Sequence, residues 1–247
     1  MKITKYYVLS FFLLVWSISF CQSKKNLIIE YDFKLLLNDI NNFNAKLYQN
    51  DSICIFKYSN INIVNKLNEV NGNYKFSVKD STENIIYSDK YKEVNIEVVK
   101  GFNDVNFYQI IDSIKSLKWK ITDETKLIQK YQSLKATRNF KGREYIAWFT
   151  TEIPSYFGPL KLHGLPGLIL ELSDSKNEVT LIAKKISYEY ENIFIPHLTY
   201  KTISRKEYNK EIKNEIEKIT QNISSKYGRG IKVKTSSISS KSLENEE

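Results

Sequence analysis

Hydrophobic and polar residues alternate one by one along much of this chain. Tyr145, Ala147, Phe149, Thr151 and Ile153 occupy every second position; so do Leu168, Leu170 and Leu172, and then Val179, Leu181 and Ala183. Period two sends successive side chains to opposite faces of an extended segment, so each run predicts a half-buried strand. The polar stretch Ser173-Asp174-Ser175-Lys176-Asn177 between the last two runs predicts a β-hairpin. Leu117, Trp119 and Ile121 alternate as well, and Asn139, Lys141 and Gly142 predict a turn joining that strand to the run at 145–153.

Upstream the pattern is looser. Residues 26–37 read as a first strand, the Asn/Asp-rich 38–44 as a loop, and 46–58 as one or two further strands. The Asn-rich stretch 60–84, with Gly72, reads as a long, mobile excursion. Short strands are expected over 74–78, 84–88 and 94–99. Near the carboxyl end the period changes. Ser204-Arg205-Lys206-Glu207 fits a capping box, and Tyr208, Ile212, Ile216, Ile219 and Ile223 follow at helical spacing before Gly228 and Gly230. Past Val233 the Ser/Lys/Glu-rich tail, 234–247, has no apolar pattern and is expected to be disordered. The fold class is therefore mainly β (α+β): a curved antiparallel sheet or half-barrel with a C-terminal amphipathic helix.

The amino terminus sets the compartment. Lys2 and Lys5 precede an uncharged apolar run over 6–20, about 15 residues against the roughly 20 a spanning helix needs. A basic n-region and an apolar h-region make a signal peptide, with Ser19 and Cys21 at −3 and −1 for cleavage before Gln22. The rival, a lipoprotein acylated at Cys21, is disfavoured by the bulky Phe20. The expected product is one β-rich domain over 22–233, in the periplasm or associated with the outer membrane. No second apolar stretch could span a bilayer after cleavage.

Composition narrows the chemistry. Hydrophobic residues make up 42% and aromatics 13%, enough for a substantial core. The formal charge of +9 falls to +7 once Lys2 and Lys5 are removed. Its cations are interspersed with acids, a bias toward anionic lipid or polysaccharide rather than a nucleic-acid footprint. Cleavage leaves Cys54 alone in an apolar strand, so an intramolecular disulfide is excluded in that form. A buried, inert thiol is the expectation there rather than a nucleophile.

Half of the 8 glycines and three of the 4 prolines fall between Gly142 and Gly167: Gly142, Pro154, Gly158, Pro159, Gly164, Pro166 and Gly167. Pro154 should end a strand, Gly158-Pro159 should turn the chain sharply, and Leu165-Pro166-Gly167 should form a type II turn. Leu165, Leu168 and Ile169 would then fold inward. Residues 164–169 spell GLPGLI, preceded by Trp119 to Ile128, Gly142 to Pro154 (carrying Trp148) and Gly158-Pro159 in order. In this series the chain resembles the GLPGLI family of secreted bacterial envelope proteins. Where a Cys-x-Lys-Ala element often stands, this chain has Ser133-Leu134-Lys135-Ala136. The resemblance implies a compartment and an approximate fold. The family has no established reaction.

Catalytic constellations are absent from the sequence. His163 and His197 lack partners at metal-ligand spacing, and no nucleophile elbow, zinc-protease motif or phosphate loop occurs. No catalytic residue, metal or cofactor is assigned. Tyr156, Phe157, His163 and Arg143 are the candidate ligand contacts, weighed against plain packing and, for Arg143 with Glu144 and Glu152, against ion pairing. Three functions follow in order. The first is non-enzymatic binding of a lipid or other hydrophobic ligand on the concave sheet, by analogy with the half-barrels of periplasmic lipoprotein carriers. The second is an interaction module for an envelope protein partner, accessory to an outer-membrane transport or secretion system and using a sheet edge or the C-terminal helix. The third is a hydrolase using His163 with Ser155 or a carboxylate.

Overall fold

A computed structural model describes residues 25–36, 40–61, 66–70, 73–77, 83–101, 106–190, 192–193 and 199–227. The expected signal peptide with Cys21, the expected mobility of 60–84, His197, Gly228, Gly230 and the tail lie outside the described residues wholly or in part. So do the side chains of 66–77 and of Ile216, Ile219 and Ile223. The strands are β1 (Asn26–Leu36), β2 (Ile40–Gln49), β3 (Ile53–Asn60), β4 (Lys66–Val70), β5 (Asn73–Ser77), β6 (Asn84–Asp89) and β7 (Val94–Lys100). They continue with β8 (Phe107–Ser113), β9 (Lys120–Ile128), β10 (Tyr131–Phe140), β11 (Arg143–Thr150), β12 (Leu168–Asp174), β13 (Val179–Glu189) and β14 (Lys201–Thr202). Helix α1 covers Arg205–Tyr227. No described helix is long and apolar enough to cross a membrane.

One open, curved sheet holds twelve strands in the order β14-β8-β7-β6-β3-β2-β1-β13-β12-β11-β10-β9, and β4 and β5 pair apart from it. All its pairings are antiparallel except that of β14 with β8. Covalent connectivity demands the curvature. From β8 to β9 is ten strand spacings, about 48 Å if flat. Yet residues 114–119, which join them, reach at most about 25 Å fully extended. The sheet must curl until its ends approach.

The inner face is built by register. Ala136, Ala147, Leu172, Leu181, Phe33 and Phe43 stand opposite one another across six strands. Their sequence neighbours Ile146, Ser173, Thr180, Lys34 and Asn42 turn outward. This is the expected alternation, and the hairpin β12–β13 lies where it puts it; the Lys141-Gly142 turn forms too, but it joins β10 to β11, and β10 stands between β11 and the strand that follows Leu117 and Trp119. Lys141 (φ 46°) and Gly142 (φ 73°) are both left-handed, the conformation a two-residue hairpin loop requires.

Several expectations need correction. Residues 40–44 are not loop: β2 starts at Ile40, because Phe43 stacks on Phe33 at 4.9 Å and packing overrides the poor strand propensity of Asn. Residues 46–58 make two strands, split where Asn50 Oδ1 accepts from the Ser52 and Ile53 amides, each at 2.9 Å. Leu117 and Trp119 precede β9 rather than belonging to it, and β11 stops at Thr150. Strands β4, β8 and β10 carry too little alternation to be predicted. At the helix the capping box is complete: the Glu207 amide donates to Ser204 Oγ at 3.1 Å, and the Ser204 amide to Glu207 Oε2 at 2.8 Å. Tyr208 then packs with Ile203 on Val99, Tyr108 and Ile110, seating α1 on β7–β8.

Candidate functional site

Between β11 and β12 the Pro/Gly segment, 151–167, leaves the sheet and folds back over its inner face. It is a narrow arm. Phe157 bridges to His163, the Gly158 amide donates to the Leu162 carbonyl at 2.8 Å, and the Gly164 amide to the Tyr156 carbonyl at 2.8 Å. Phe157, Leu160, Leu162 and Leu165 on this arm are buried in one cluster with Phe33, Ala147, Leu172 and Leu181. The arm fills the trough that the curved sheet encloses. Tyr31 donates its hydroxyl to the Ile169 carbonyl at 2.8 Å and fixes the arm's return to β12.

The expected type II turn at Leu165-Pro166-Gly167 does not form. The left-handed glycine is Gly164, at φ 86°. Gly167 is needed for a different reason: an added Cβ would lie 2.0 Å from the Thr150 carbonyl oxygen. Gly158 is also closely packed, but its nearest neighbour is a side-chain end: an added Cβ would lie 2.6 Å from Ile169 Cδ1 and 3.0 Å from the Leu162 carbonyl oxygen.

One edge of the arm is polar, and it lies on a polar row of the sheet. Gln49, Cys54, Ser88, Asn95 and Asp112 stand opposite one another on neighbouring strands. Gln49 Nε2 donates to Ser155 Oγ at 2.8 Å. Lys161 is buried, with its ammonium 2.6 Å from Asp112 and 2.8 Å from Glu97. Arg205 of α1 reaches the same Glu97 oxygen, and Lys141 lies 3.1 Å from Asp112. Burial alone would push both carboxyls up, but Lys161 and its companion cations offset that and hold them below the usual range.

His163 is buried, with Nδ1 3.0 Å from the Lys161 carbonyl oxygen and Nε2 3.0 Å from that of Lys115. Only the imidazolium could donate to both. Burial, however, opposes the charge and outweighs the two carbonyls, so the pKa is lowered. A lowered histidine pKa means the unfolded chain takes the proton first as pH falls. Stability is then whole above the ordinary value of about 6.5 and declines as pH drops from there toward the folded value. The difference in urea midpoint between the wild type and His163→Gln should therefore narrow from pH 7.5 to pH 5.5. A constant difference would contradict this assignment.

The other expected site residues are placed as follows. Tyr156 is half-buried, with its ring 5.4 Å from His163, 5.2 Å from Phe157 and 4.5 Å from the Lys90 ammonium. Arg143 is buried at the far end of β11, with Nη1 2.6 Å from Asp174 and 2.8 Å from Glu178. Trp119 donates its indole N–H to the His163 carbonyl at 2.8 Å. Trp148 lies on the outer face under the Lys126 ammonium, 4.4 Å from its ring centre. Tyr156, Phe157, His163 and Trp119 thus come together, while Arg143 and Trp148 do not join them. Ser155 Oγ donates to the Phe157 carbonyl at 2.6 Å, and both His163 nitrogens face other carbonyls, so neither group is aimed at the other. Cys54 is buried, and burial pushes its thiol well up.

Sequence reasoning missed Lys161, Glu97, Asp112, Arg205 and Gln49. One signal was present: a lysine flanked by Leu160 and Leu162 within the arm. Among the described residues no group of three His, Cys, Asp or Glu is arranged to hold a metal. An open cleft of about 550 Å³ is lined by Asn26, Asn50, Asp51, Ser52, Ile53, Asn192 and Ile193, none of them from the arm.

Fold and site together define a mainly β protein whose Pro/Gly arm packs the concave face of its large curved sheet. A family model described as a protein of unknown function (Porph_ging) matches residues 138–171, which include the whole arm and the hexapeptide 164–169. No curated protein matches the chain. Among solved structures the chain is similar to PNGF-II in its C2 and P21 crystal forms, with TM-scores of 0.52 and 0.53 and 16% identity over 76% of this chain. It spans about a third of PNGF-II, 32% and 33% in the two forms, and the likeness is one of fold. An outer membrane lipoprotein-sorting protein domain from Vibrio parahaemolyticus overlaps 78% of this chain and 92% of its own, with 6% identity. Its TM-score is 0.24, too low for the backbones to follow one path.

Proposed function

We propose that this chain is an exported envelope protein of the GLPGLI type, a half-barrel that binds another envelope protein through an apolar patch on its rim. The observation that carries the reading is the cluster Leu36, Ile40 and Ile61, exposed at 47%, 61% and 50%. Leu36 stands opposite Ile40, and the Ile61 amide donates to Asn42, two residues along β2, so the three are neighbours at one end of β1–β2–β3. Adjacent exposed aliphatics are a mark of a contact surface, whereas single ones are ordinary. A protein partner fits an aliphatic patch better than an anionic membrane does, since the latter is drawn by clustered cations rather than by aliphatic side chains.

The arm bears on the lipid reading. Phe157, Leu160, Leu162 and Leu165 take up the concave face on which a hydrophobic ligand would sit. Ligand binding inside the sheet would first require the arm to leave.

A photocrosslinking residue at position 40 tests the proposal in intact cells, with one at the outward-facing Thr180 as control. We expect a discrete protein adduct at position 40 that disappears with Leu36→Asp and Ile61→Asp. Adducts with lipid alone, or the same adducts at both positions, would overturn it.

A further inference from the structure

We propose that the Pro/Gly arm and helix α1 form one latch closed through Glu97, so that lifting α1 from the sheet loosens the arm, and the reverse. The inference is independent of the rim patch. Glu97 projects inward from β7 between Ile86 and Ile110, its opposite residues on β6 and β8. Its carboxylate accepts from Lys161 of the arm at 2.8 Å and from Arg205, the first residue of α1. Two elements far apart in sequence therefore share one buried anion.

The coupling is a matter of solvent as well as charge. The Lys161–Glu97 pair is withdrawn from solvent, its side chains only 2% and 12% exposed, and Arg205, itself 19% exposed, closes on the same carboxylate. A pair shielded in this way attracts strongly, whereas the same pair opened to water is worth little. Other contacts at that end of the helix fall on the same two strands. Tyr208 donates to the Lys100 carbonyl at 2.9 Å and Tyr108 to Glu211 at 2.6 Å. These contacts, like those of Arg205, lie on β7 and β8. A partner that captured α1 would act on the arm through the shared carboxylate, exposing the apolar floor at Phe33, Leu172 and Leu181.

Hydrogen exchange on the full chain tests the latch. In Arg205→Gln the amides of Gly158, Leu162 and Gly164 should exchange about tenfold faster, within the usual range of site-to-site coupling. Amides of the β12–β13 hairpin should stay unchanged. Reciprocity requires the first turns of α1 to exchange faster in Lys161→Gln. Should that variant fail to fold, Glu97→Gln supplies the second arm and must loosen both elements. Faster exchange confined to α1 in Arg205→Gln, or spread evenly over the sheet, would overturn the proposal.

Discussion

Gly167→Ala should cost more than about 4 kcal/mol, enough to leave a domain of ordinary stability largely unfolded. The new methyl carbon would sit 2.0 Å from the Thr150 carbonyl oxygen, 2.7 Å from its carbon and 3.0 Å from Thr151 Cα. All three are backbone atoms at the end of β11, so no side-chain rotation can relieve the overlap. Either β11 and β12 separate, breaking the Thr150–Leu168 pairing, or the arm lifts from the trough. Both routes expose Leu165, Leu168 and Ile169, and burial of such residues is worth roughly 2 kcal/mol each. Gly164→Ala is the internal comparison. At φ 86° its nearest neighbour is the Leu117 carbonyl oxygen at 3.7 Å, so the methyl has room and the cost is that of a left-handed alanine, about 1 kcal/mol. Urea unfolding followed by tryptophan fluorescence separates the two. Equal losses would mean that the close approach at Gly167 is not what demands glycine there.

The contrast shows what sequence can and cannot convey about this arm. The Pro/Gly spacing marked the segment as special, and the inward folding of Leu165, Leu168 and Ile169 follows from their apolar character. The reason for Gly167 was misread, because steric contact with a strand from another part of the chain leaves no local trace. The same limit governs the sheet. Alternation is legible in 168–183, where one face meets the core and the other water. It fails at β9, an edge strand whose residues are mostly exposed, and at β8, where Ile110 points inward at 2% exposure and its neighbour Ile111 outward at 46%. In β7 it is no guide: Ile96 and Val98 lie on the face opposite Asn95 and Glu97, and it is Asn95 and Glu97 that turn inward. A strand whose inner wall is polar inverts the usual pattern, and only the position of Lys161 explains the inversion.

Lys161→Met carries the second large effect. Lys161 stands against two carboxylates, and Met preserves most of its volume while removing the charge. Truncating one partner of a buried ion pair leaves the others uncompensated and costs about 3–5 kcal/mol. Arg205 remains on Glu97 and Lys141 on Asp112, which places the expected loss near the lower end of that range. The dependence on pH distinguishes this from loss of packing. In the wild type both carboxyls lie below their ordinary values, so their contribution is complete above the unfolded value of about 4 and fades as pH falls through the folded values. In the variant their chief cation is gone and burial pushes them up. Acid then neutralises them in the folded state and relieves the strain, so the gap between the two proteins should shrink from pH 7 to pH 4.5. A loss under about 1 kcal/mol at pH 7, or one unaltered by acid, would show that the arm is held by its apolar side chains alone.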